Sequence, residues 1–168
     1  MSKDIIIGYK CFQKGLTNNY GMQFEVGKTY SITNPISFGI EGNGYHLCAR
    51  MQDTLRFFEF DEEKDICLVL GFGEKIKHSD EYYGYYDMYA VKNLYIVKKL
   101  SREEIIQLAI NLNPIHVPRF IQGFKLTSDE INMFKERFNK EPYILEAIQY
   151  YQEHDLEAYS RKLTKIYS

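Results

Sequence analysis

The chain has 168 residues, a formal net charge of -2 and 45% hydrophobic residues. That balance excludes a disordered chain and a nucleic-acid binder that relies on a general basic field, and it is enough apolar material for one domain with a real core. Aromatic residues reach 15% without any Trp, so 15 Tyr and 11 Phe carry the load. Tyrosine joins an apolar face to a polar tip and suits contact surfaces as well as cores.

In chain order, the first hundred residues read as strands and turns. IIIGYKCF at 5–12 is an apolar, partly β-branched run, and GLTNNYG at 15–21 is rich in turn residues. MQFEVGKTYSI at 22–32 alternates, with Phe24, Val26 and Tyr30 spaced for extended structure and Gly27 as a bend or bulge. Asn34-Pro35 interrupts the pattern before ISFGI, a short strand candidate. GNGYHLCARMQDTLRFF at 42–58 predicts a strand that runs into a helix, with Tyr45, Leu47 and Ala49 on one strand face and His46 and Cys48 on the other. The acidic run EFDEEKD at 59–65 reads as a solvated loop or helix end. ICLVLGFGEKI at 66–76 and AVKNLYIVKKL at 90–100 are further strands, and GFG at 71–73 reads as a bend between strands rather than a phosphate loop.

After Leu100 the pattern changes to helices. Ser101 and Glu104 form a capping box ahead of Ile105, Leu108 and Ala109, and two prolines restrict a connector at 113–120. A second box, Thr127 to Glu130, starts a helix with Ile131, Phe134 and Phe138 on one face. Pro142 fits the first turn of a third helix with Leu145 and Ile148 inward, and a last helix would carry Leu156, Tyr159, Leu163 and Ile166. Strands first and helices afterwards predict an α+β protein: a mostly antiparallel β-rich body over 1–100, and a helical segment over 101–168 packed on it as one domain.

Cys11, Cys48 and Cys67 show no CxxC or zinc-finger spacing, so no metal site is expected and the thiols are read as reduced core residues of a cytoplasmic protein. MSKDIIIGY is too short an apolar run for a signal peptide, and no stretch reaches the length of a membrane span. Of the four histidines, His46 sits inside a strand, where a hydrogen-bonded core role is favoured over catalysis. DEYYGYYDMY at 80–89 reads as an aromatic edge loop, and in its sharper reading as a recognition surface of Tyr82, Tyr83, Tyr85 and Tyr86.

Taken together, GYKCF, FEVGKTYSI, GYHLCA, LVLGFGEKI and NLYIVKKLSREEI resemble a domain of unknown function found in phages and bacteria, over about residues 5–106. The resemblance implies a phage or mobile-element origin. The stretch at 42–58 followed by LVLGFGEKI is also similar to the core of the ADP-ribosyltransferase toxins and poly-ADP-ribosyltransferases. That second resemblance implies NAD as cofactor. It places the family's first-strand histidine at Tyr9 or Lys10, its second-strand tyrosine at His46 and its glutamate at Glu81, so that Glu81 and His46 would be catalytic and Tyr9, Lys10 and His46 would bind NAD. Only the glutamate type is kept, and Lys10 brings charge without the geometry of an imidazole. The sequence therefore points first to a small non-enzymatic protein, without cofactor, that binds another protein, with host-defence antagonism suiting such an origin. The alternative is an NAD-dependent ADP-ribosyltransferase or a degenerate nucleotide-binding relative.

Overall fold

The structure, a computed structural model, describes residues 4–18, 20–37, 43–58, 63–78 and 87–153. It is an α+β protein. Five antiparallel strands come first: β1 (Ile6–Gln13), β2 (Thr29–Ser31), β3 (Tyr45–Cys48), β4 (Lys64–His78) and β5 (Met88–Lys99). A short helix, α1 (Met51–Thr54), follows β3 and continues as a 3₁₀ turn over Leu55–Phe57, the strand-to-helix unit read from 42–58. Helices α2 (Arg102–Ile110), α3 (Val117–Gly123), α4 (Ser128–Arg137) and α5 (Pro142–Tyr151) follow β5. Two compact units divide at Leu108 and Ala109.

In the first unit the sheet closes on itself. β4 pairs with β1 along one edge and with β5 along the other. β5 pairs along its far edge first with β3 and then with β2, and β3 meets β1 at Tyr9 and Cys48. Four strands thus make a ring and β2 widens it. On β1, β3 and β4 alternation sends one face inward, where Phe12, Leu47, Cys67 and Val69 pack with Phe24 and with Val91, Leu94 and Ile96 of β5. The aromatic rings of Phe12, Phe24 and Tyr30 are in contact, with centroids 5.0 and 4.8 Å apart.

The GFG segment is not a bend between strands. It lies inside β4 at a bulge, where the register with β5 shifts between Phe72 and Lys75 and Gly73 takes φ +80°. A side chain at Gly71 would put its Cβ 2.5 Å from Leu47 Cδ2. Of the alternating stretch at 22–32, Phe24 is in the core, Gly27 turns the chain with φ +84°, and only Thr29–Ser31 pairs as strand. Residues 38–40 of the ISFGI candidate lie outside the described residues.

The acidic run ends in a buried carboxylate rather than a solvated one. Asp65 is 7% exposed; Oδ2 accepts from Gly15 N at 2.7 Å and Leu16 N at 3.1 Å, and Lys99 Nζ lies 3.2 Å from Oδ1. These bonds hold the tight turn after β1, where Leu16 is left-handed at φ +58°.

In the second unit both prolines of the connector are accommodated at helix starts, Pro114 opening a 3₁₀ turn and Pro118 in the first turn of α3, so the segment at 113–120 is helical instead of open. Both capping boxes form: Ser101 with Glu104 ahead of α2, in the first unit, and Thr127 with Glu130 ahead of α4. Phe120, Phe124, Phe134 and Phe138 line up in successive ring contacts. Ile144, Ala147 and Ile148 form the buried stripe of α5, while Leu145 is half-buried at its margin. The Gln152 amide closes the unit: Nε2 donates to Ile121 O and Phe124 O at 2.6 and 2.7 Å, and Oε1 accepts from Leu126 N at 2.9 Å. The two carbonyls are end groups of α3 that the helix itself leaves unpaired, and Leu126 lies in the connector to α4. The predicted last helix, from Leu156 to Ile166, lies outside the described residues.

Replacing Asp65 with alanine removes a charged acceptor from two part-buried amides and is expected to cost about 1–3 kcal/mol. Asp65→Asn, which keeps one acceptor oxygen, should cost less than Asp65→Ala. Urea unfolding of the three proteins checks the order.

Candidate functional site

Of the residues singled out from the sequence, Tyr9, Lys10 and His46 lie along the seam between β1 and β3. Ile6, Gly8, Lys10 and Phe12 share the inward parity of β1, and Tyr9 and Cys11 the outward one. Lys10 is therefore a lysine on a core-facing position. Its Nζ donates to His46 O at 2.6 Å and stands 5.5 Å from the centre of the Phe12 ring. The bond falls just past Tyr9 and Cys48, where the ladder between the two strands stops. A side-chain ammonium thus serves a strand carbonyl at the point where backbone pairing runs out.

Lys77, Lys98 and Lys99 on β4 and β5 each face a carboxylate, whereas Lys10 donates to a backbone carbonyl and stands near the Phe12 ring. Burial accordingly pushes the Lys10 amine down from its ordinary 10.5 to about 8, with Cys48 and Cys11 opposing weakly. Burial also lowers His46, and the Lys10 ammonium adds to the effect, so the imidazole is held neutral at pH 7. Its side chain lies on the outer face, half-buried, with that of Cys48. Burial first and then Asp53 push the Cys48 thiol up to about 12, which makes it a poor nucleophile. Cys67, inside the ring, is pushed up to about 11 by the same cause.

α1 packs over the outside of β1 and β3. Its start is fixed by Asp53, whose carboxylate takes Arg50 Nε at 2.8 Å and Asp87 N at 3.0 Å, while Ala49 N donates to Asp87 O at 2.7 Å. The first residue described before β5 is therefore tied to the end of β3. Sequence reading missed both Asp53 and Asp65. For Asp65 a signal existed, because it shares the parity of Cys67 and Val69 on β4.

Of the residues predicted to hold NAD, Lys10 and His46 are in contact, through the histidine carbonyl rather than its ring. Tyr9 lies on the outer face, as His46 does, opposite to Lys10. Glu81 and the tyrosines Tyr82, Tyr83, Tyr85 and Tyr86 lie outside the described residues. Their stretch is flanked by the pair of His78 with Met88, which closes the β4–β5 ladder. Among the described residues, no group of three His, Cys, Asp or Glu side chains is placed to hold a metal ion, and no helix is long and apolar enough to cross a membrane.

A small antiparallel ring with a filled interior, followed by capped helices, is the class of protein these observations define. Residues 6–108 match the family described as Domain of unknown function (DUF7666), and the chain belongs to that family. No curated protein and no solved structure matched the chain.

Because the folded amine binds its proton less tightly than the unfolded one, Lys10 makes stability rise as pH climbs from about 8 towards 10.5. The two buried thiols act in the opposite sense above their ordinary 9.0. The difference between wild type and Lys10→Met isolates the lysine: the wild type should gain on the variant by on the order of 1–3 kcal/mol between pH 7 and pH 10. Urea unfolding at a series of pH values checks the slope, and a pH-independent difference would contradict it.

Proposed function

We propose that the protein acts by binding another protein through the outer surface of its β ring, without chemistry of its own. The observation that carries this reading is the outer face of β1 and β4. Ile7 is 64% exposed and Ile5 56%, and Ile7 pairs with the half-buried Leu70, as Tyr9 pairs with Leu68. Exposed aliphatic side chains continuous with half-buried ones form the kind of patch that a partner covers. The filled interior supports the same reading, since it turns recognition outward. The tyrosine-bearing stretch between His78 and Asp87, which lies outside the described residues, adds to this reading by composition alone, since tyrosine suits protein contacts. A phage or mobile-element origin, with a host-defence component as the partner, belongs to this proposal.

Affinity capture from a lysate of the source organism should recover a stoichiometric partner with the wild type, and at least about tenfold less with Ile7→Lys. Both proteins should unfold within about 0.5 kcal/mol of each other, as expected for an exposed position. Equal capture by the two would remove the β1 face from the proposal.

A second reading is favoured by one observation, the meeting of Lys10 with His46 at the seam. On it, the seam is part of an NAD site of the ADP-ribosyltransferase kind, with Tyr9 and His46 on the outer face and Glu81 as the acidic group. Calorimetric titration with NAD should then give a heat that His46→Ala abolishes. No heat up to millimolar NAD would dismiss this reading.

A further inference from the structure

The strands of the ring are joined very unequally. β4 and β5 share ten ladder pairs, β1 and β4 eight, and β3 and β5 four, whereas β1 and β3 share one, Tyr9 with Cys48. Past that pair the seam is held from inside by the bond of Lys10 Nζ to His46 O. It is covered from outside by the four-residue helix α1, too short to be stable by itself. Close approach at the one ladder pair depends on Gly8, where a Cβ would collide with the backbone oxygen of Cys48.

We propose that the seam between β1 and β3 is the joint at which this ring opens, with the Lys10 side chain as its latch. Opening separates β3 and α1 from β1, while the long β1–β4 and β4–β5 ladders stay paired. It frees the Lys10 amine from His46 and brings the Cys48 thiol, 3% exposed in the closed form, into solvent. Local openings of this kind cost less than global unfolding because few bonds are given up. The latch differs from an ordinary ladder rung, since one long side chain supplies it and a single substitution removes it without altering the backbone.

The native thiol reports the motion. Labelling with an excess of a disulfide reagent, with the modified peptide identified by mass spectrometry, gives the opening constant at Cys48. Urea unfolding gives the global constant for the same protein. In the wild type the Cys48 constant should exceed the global one by about tenfold or more. In Lys10→Met the Cys48 opening constant should itself rise by roughly tenfold, the loss expected for a hydrogen bond to a charged group, and the global constant by the same factor, because both transitions break the bond. Labelling of Cys48 that tracks global unfolding in the wild type would overturn the proposal, and this needs no variant to fold. A Cys48 opening constant unchanged by Lys10→Met while the global constant rises would also overturn it, because Cys48 would then be reached by fraying of α1 alone, with the bond still made.

Discussion

The ring can close only because β4 does not run flat. Its fifteen residues serve two neighbours: the first half lies between β1 and β5, and the second half pairs with β5 alone. Two register shifts, one at Leu68/Val69 and one between Phe72 and Lys75, coil the β4–β5 ladder so that β5 can bring β3 round to β1. Gly71 and Gly73 sit at the second shift for different reasons. Gly71 leaves room for Leu47 and Val91 in the interior, and Gly73 supplies a left-handed backbone that other residues rarely adopt.

Closure also creates the places where backbone pairing fails, and polar side chains take over there. At one end of β1 the chain leaves the ladder through Gly15 and Leu16, and Asp65 accepts both of their amides. In the middle of β1 the ladder to β3 ends, and Lys10 donates to the next carbonyl. An unpaired buried carbonyl costs about 1–3 kcal/mol, so a donor there is worth having even on a core-facing position. The cost reappears in the amine, which gives up solvation without gaining a carboxylate and is held well below its usual range. Perturbed ionisation at this seam thus has a structural origin that is sufficient in itself.

Much of the fold was legible because local signals and the final structure agree. Alternating apolar residues located β1, β3, β4 and β5, and both capping boxes marked helix starts that form as read. Ring closure was not legible, since it depends on which strands meet across 36 to 62 residues of chain, as Lys10 with His46 and Ser31 with Asn93 do. The GFG bulge was misread because a glycine pair gives the same signal whether a strand bends or ends. Asp65 was misread because the charge of its neighbours masked its parity on β4, and Gln152 carried no local signal for a bond to α3. A family resemblance singled out Lys10 and His46 as NAD-binding positions, whereas the contact between them joins a side chain to a backbone atom.

The distinction between inward and outward residues governs how any functional experiment on this protein must be read. Lys10 and Asp65 have their polar atoms committed to backbone groups of the ring, so changing either alters stability whatever the protein does. Loss of function in such a variant is therefore weak support for catalysis unless the fold is measured in parallel. Ile7 is different, because its side chain is exposed. An effect on affinity at Ile7 with unchanged stability points to a bound partner. An effect on nucleotide binding at His46 is informative only through its ring, since His46→Ala keeps the carbonyl that Lys10 holds. The two functional readings are thus separable at the level of single atoms: the backbone of His46 belongs to the fold in both, and only its side chain can belong to an NAD site.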